Sequence, residues 1–149
     1  MANSKEKIAE FVRNNLSYEP DPDAILRMSR MLNIDRSITD INIKDSTYSD
    51  YTALHFQAEY GTTGSVAWLL RQDPPPDVNV LTSDQYTPLI LAVGSDVDRE
   101  GKVRLLLDHG ADRYIKRYGS TALDWAISYI KPNPAVIDML ENYRPDVSR

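Results

Sequence analysis

Apolar residues along this chain fall in short stripes at helical spacing, separated by polar, Gly and Pro positions. Ile8, Phe11, Val12 and Leu16 form one stripe, and Ala24, Ile25, Met28, Met31 and Leu32 form a second. Recurrence every three or four residues puts each set on one face of a helix. Asp21 as N-cap and Pro22 in the first turn open the second helix. Val66-Ala67-Trp68-Leu69-Leu70, Val103-Arg104-Leu105-Leu106-Leu107 and Val136-Ile137-Asp138-Met139-Leu140 predict three more. Asn133 is placed to cap the last of these, with Pro134 at its first helical position.

These stripes recur with a period of about 35 residues, the signature of a stacked-repeat architecture. Thr52-Ala53-Leu54-His55 returns as Thr87-Pro88-Leu89-Ile90 and again as Thr121-Ala122-Leu123-Asp124. A third block keeps the same step: Asp40-Ile41-Asn42-Ile43, Asp77-Val78-Asn79-Val80 and Asp112-Arg113-Tyr114-Ile115. Three markers in one order at one spacing define units that bury their apolar faces only against their neighbours.

The units resemble the ankyrin repeat. Thr52 through Ala58, Gly61, Val66, Leu69-Leu70 and Asp77-Val78-Asn79 follow its pattern, with an excess at Pro74-Pro75-Pro76. Thr87-Pro88-Leu89, Ala92, Val103, Leu105-Leu106-Leu107 and Gly110-Ala111-Asp112 follow it again, with a longer inter-helix loop near Ser95. Gly119 through Ala126 opens a final unit. Ile90 and Asp124 stand where the motif has His, and Gln85 stands where the turn Gly usually sits. The resemblance implies an all-α repeat solenoid, a stack of about four helix-turn-helix units joined by hairpin-like loops. The expected divisions are a divergent N-terminal capping repeat (1–43), repeats at 44–80 and 81–115, and a C-terminal capping repeat (116–149).

Within that motif Thr52, His55, Thr87, Pro88, Thr121 and Asp124 take structural roles. The Thr hydroxyl caps the first helix and reaches the residue three positions on. Leu54, Leu89 and Leu123 are expected between the helices, and Ala58, Ala92 and Ala126 where helices approach closely. Leu105, Leu106 and Leu107 are expected in the core together.

Composition narrows the classes. With no Cys, neither a disulfide framework nor a thiolate metal site exists. No apolar run suits a membrane helix, and the N-terminus lacks an apolar signal core, so a cytoplasmic protein is the expectation. A net charge of −5 disfavours nucleic acid and mildly favours a basic partner. No enzyme motif occurs, and neither cofactor nor metal is expected. His109 suits the end of a second helix, where a cation meets the helix dipole. Asp96, Asp98 and Glu100 lack the spacing of a calcium loop and form a solvated acidic loop, with Asp98 as the cap of the next helix.

Binding is what remains. The resemblance implies a concave strip of hairpin tips and first-helix faces that contacts another protein. The motif offsets put Tyr48, Tyr51, Asp84, Tyr86, Arg117 and Tyr118 on the tips. Glu59, Tyr60, Ser95 and Tyr129 fall on the helix side. Tyr gives large, rigid contact area with a polar tip. The alternative for Tyr51 and Tyr86 is packing against neighbouring hairpins. Acidic residues gather on the first two fingers, and Arg113, Lys116 and Arg117 on the third.

The leading expectation is a non-catalytic interaction module that binds, and thereby inhibits or sequesters, a partner protein. One alternative is a microbial or viral immunity- or effector-type protein blocking a specific enzyme or host factor. Another is a structural or assembly subunit whose strip meets a copy of itself or a larger complex.

Overall fold

The computed structural model describes residues 41, 42, 44 and 49–145 of the chain. Tyr48 and the two N-terminal apolar stripes lie outside the described residues. Six helices follow: α1 (Ala53–Tyr60), α2 (Thr63–Leu70), α3 (Pro88–Val93), α4 (Arg99–Asp108), α5 (Ala122–Ser128) and α6 (Pro134–Asn142). They pair as α1–α2, α3–α4 and α5–α6. Across pairs, α1, α3 and α5 stack into one layer and α2, α4 and α6 into another. This is an all-α repeat solenoid.

Side-chain caps start five of the six helices. The hydroxyls of Thr52, Thr62, Thr87 and Thr121 accept the amides of His55, Ser65, Ile90 and Asp124, and Asn133 accepts those of Ala135 and Val136. Each bond satisfies an amide that has no partner inside its own helix. At Thr121 the Asp124 carboxylate returns the bond to the Thr121 amide at 2.9 Å, so Asp serves where the motif has His. Asp98 behaves otherwise than expected. It sits in the left-handed region (φ 46°) and makes no side-chain cap. Its carboxylate instead accepts the Thr63 amide at 3.0 Å, at the start of α2 in the preceding pair.

The Asp-x-Asn tails stitch one unit to the next. Asn42 Oδ1 accepts the Asp77 amide and Asn79 Oδ1 accepts the Asp112 amide, each at 2.8 Å. Asp77 and Asp112 in turn accept the amides two residues on, as short polar side chains do in turns. The fingers are linked too: Ser83 N–H donates to Ser49 O at 2.9 Å. At the third finger Arg117 and Ser120 bond reciprocally, with Tyr118 (φ 49°) and Gly119 (φ 81°) between them. Positive φ at both central residues matches the twist a two-residue hairpin requires.

The core runs through both layers: Leu54, Phe56, Val66, Leu69, Leu89, Val93, Val103, Leu106, Val136 and Leu140 are buried. Ala58, Ala92 and Ala126 are buried at 0–3% exposure, as their small size suggested. Leu105 and Leu123 differ from the expectation, because they pack against the core from its margin and are only half-buried.

Candidate functional site

The third finger is organised by one cation. Arg117 Nε donates to the Asp84 carbonyl at 2.9 Å, which ties the second finger to the third. Its guanidinium carbon lies 3.7 Å from the ring centre of Tyr86, 4.5 Å from that of Tyr118 and 5.5 Å from that of Trp125. Planar guanidinium stacks well on aromatic faces, so these rings hold it in place by cation–π attraction and packing. Tyr86 is half-buried and its amide is fixed by Thr82 Oγ1 at 3.0 Å. Tyr118 is 64% exposed.

Tyr129 continues the surface from the end of α5. A Cβ at Gly94 would meet the Tyr129 hydroxyl oxygen at 2.4 Å, so the absence of a side chain there gives the phenol its seat. Burial raises the Tyr129 pKa above the usual phenol value. Arg99 flanks its ring at 5.8 Å, while its Nε donates to Ser95 O at 2.8 Å.

The expected strip residues therefore divide. Asp84, Tyr86, Arg117, Tyr118 and Tyr129 are half-buried or exposed, and Asp84, Tyr86 and Tyr118 gather around Arg117. Tyr51 is buried at 7% exposure and is no part of an open surface. Its ring packs 4.9 Å from Phe56 and its hydroxyl donates to Glu59 Oε2 at 2.6 Å. Glu59 is half-buried with that carboxylate engaged, and Tyr60 packs half-buried against the core. Ser95 is buried at 2% exposure. Its hydroxyl donates to Glu59 O and accepts from Lys102 Nζ, both at 2.7 Å. Arg113 also leaves the basic group, since its Nη1 donates to Leu140 O at 2.9 Å near the end of α6.

Trp125 and Arg99 are contributors that the sequence reading did not assign to the strip. Trp125 falls at the repeat offset of Phe56 and Leu91, both buried. No helix beyond α5 extends its layer among the described residues, and the indole is half-buried against the core beside Arg117, with its Nε1 inside. The repeat offset alone was a signal for Trp125; Arg99 carried none.

The motif residues hold the scaffold. His55 Nδ1 accepts the Thr52 amide at 2.9 Å, so the proton resides on Nε2, which lies 2.8 Å from Val80 O and 3.2 Å from Tyr86 O. His109 Nδ1 donates to Leu105 O at 2.8 Å at the end of α4. Asp96, Asp98 and Glu100 face separate partners: Arg99, the Thr63 amide and Asn133. Among the described residues no group of three or more His or carboxylate side chains could hold a metal ion.

Paired helices stacked in two layers, with linked fingers on one side, define a helical repeat protein. The sequence matches the family model for ankyrin repeats (3 copies) over residues 10–112, and the chain belongs to the ankyrin repeat family. No curated relative matches it. Ankyrin repeats are generally protein–protein interaction modules and typically non-catalytic. No helix among the described residues is long and apolar enough to cross a membrane.

Proposed function

We propose that this protein binds another protein through the surface formed by Asp84, Tyr86, Arg117, Tyr118, Trp125 and Tyr129, and acts by covering part of that partner. The observation that carries this reading is Arg117, held between Tyr86 and Tyr118 while Tyr118 is 64% exposed. Interface hot spots are enriched in Tyr, Trp and Arg, and rigid ones lose less freedom on binding. Inhibition or sequestration follows from coverage when the covered patch is the partner's working surface.

A photo-crosslinking residue placed at Tyr118 and, separately, at exposed Arg104 on the outer helix α4 tests this. Crosslinking of a partner from position 118 and not from 104 is expected. Capture from 104 alone would move the interface to the outer layer.

An assembly subunit is the second reading, supported by Ile127 and Ile130, which are 54% and 98% exposed near the end of α5. Mass that rises with concentration in sedimentation would favour it.

A further inference from the structure

We propose that Arg117 is a carboxylate receptor: an extended segment of the partner docks with an Asp or Glu side chain on the outer edge of the Arg117 guanidinium. This rests on the concave-surface reading above and adds the chemistry of what it takes.

A guanidinium offers five N–H donors in a planar fork. Here Nε is committed to Asp84 O, and no hydrogen bond from Nη1 or Nη2 is made among the described residues. Nor does any carboxylate there pair with Arg117. The group is nevertheless immobilised, by the Asp84 carbonyl on one edge and by Tyr86 and Tyr118 at 3.7 and 4.5 Å. An exposed arginine is ordinarily mobile and gains little from pairing, because ordering the side chain offsets the attraction. At Arg117 that ordering is already complete, and the free fork matches a carboxylate with two parallel bonds.

Charge sets the class of ligand. The protein carries −5 overall, so a fixed cation without a counter-ion stands out against its surroundings. Of the other cations nearby, Arg113 is turned to Leu140 O and Arg99 to Ser95 O, while exposed Lys116, next in the chain, is a point charge without a planar fork. One fixed guanidinium balances one negative charge, which suits a carboxylate better than a phosphate or a nucleic-acid backbone. Trp125 and Tyr118 beside it give apolar contact to the residues flanking that acid.

The test is selection from a random linear-peptide display library on the full chain. Selected peptides are then titrated by fluorescence of a Trp68→Phe variant, whose signal comes from Trp125. Enriched peptides are expected to share an Asp or Glu at one position. Replacing it with Asn or Gln weakens binding to the Arg117 protein roughly tenfold. The same replacement changes nothing in Arg117→Gln. Arg117→Lys keeps the charge and loses the fork, and should lose most of the affinity while melting like the parent. Peptides without a shared acid, or an acid whose removal costs the same in Arg117→Gln, overturn the proposal. If such peptides still lose binding in Tyr118→Ala and Tyr129→Ala, the concave surface stands and only the carboxylate assignment falls. Peptides indifferent to both tyrosines overturn the surface reading itself. Failure to enrich any peptide also overturns the proposal.

Discussion

The Nε2 atom of His55 lies 2.8 Å from the carbonyl oxygen of Val80, 25 residues further along the chain. The same nitrogen is 3.2 Å from Tyr86 O. Val80 and Tyr86 flank the second finger, so one imidazole in α1 gathers both of its ends. Its other nitrogen accepts the Thr52 amide, and a neutral ring satisfies all of these partners at once. This side chain thereby positions Tyr86, the ring on which Arg117 rests.

Protonation of His55 should unfold this arrangement. Burial pushes its pKa down from 6.5 to about 4, only partly offset by the carbonyls of Val80 and Tyr86. Between those values the unfolded chain binds more protons than the folded one. Stability is therefore complete above pH 6.5 and declines as pH falls toward 4, by up to about 3 kcal/mol. Urea melts at pH 7, 5.5 and 4, beside an NMR titration of the ring, measure it. A His55 ring that titrates near 6.5 would refute the assignment.

Leu106 and Leu105 are neighbours with different fates. Leu106 is fully buried, whereas Leu105 is half-buried at the core margin. Leu106→Ala should cost about 2–5 kcal/mol, and Leu105→Ala clearly less, because a partly open site leaves little cavity behind. Equal losses in denaturant melts would show that α4 is rotated from the orientation described.

Gln85 holds φ at 67° in the second finger, a region that an L side chain occupies at a cost of about 1–2 kcal/mol. Glycine removes that cost and adds about 0.5–1 kcal/mol of chain entropy to be lost on folding. Gln85→Gly should therefore raise stability slightly, by about 0.5 kcal/mol on these figures. A lower melting temperature would mean that the exposed Gln85 side chain contributes more than its geometry suggests.

The scaffold was legible because its rules are local and repeated. Thr52, Thr87 and Thr121 announce helix starts, and the spacing of Leu and Ala gives the packing faces. What escaped depends on partners far away in sequence. Asp98 reads as a local cap, yet its carboxylate is drawn to the Thr63 amide. Ser95 shares a repeat offset with Tyr60 and Tyr129, but a buried Lys102 bonds it from beneath. Tyr51 reads as a finger residue, and packing against Phe56 withdraws it. The motif offsets place Tyr86, Arg117 and Tyr118 on the tips together, but not the stacking of the arginine on the two rings, which joins one finger to the next.

Lys102 offers the sharpest solution test of the interior. It is fully buried, and Nζ bonds Ser95 Oγ at 2.7 Å. Burial lowers its pKa from 10.5 to about 8, although Asp98 and Glu59 pull it back upward. The folded protein thus releases this proton near pH 8 and the unfolded chain near 10.5. Between them the unfolded state binds more protons, so Lys102 makes stability rise with pH, by about 2–3 kcal/mol across the window. Tyr129 and Tyr143 act oppositely at the upper end, because their raised pKa values favour the folded state less as pH climbs past the phenol range. The comparison must therefore be between variants and not along one curve. Lys102→Met keeps the length of the side chain, removes the buried charge and leaves Ser95 bonded to Glu59 O. The Met variant should be more stable at pH 7, and the gap should narrow as pH rises from 8 to 10. Urea midpoints at pH 7, 8, 9 and 10 measure this. Parallel curves with the Met variant below would mean that the ammonium stabilises the fold and that its burial is compensated in full.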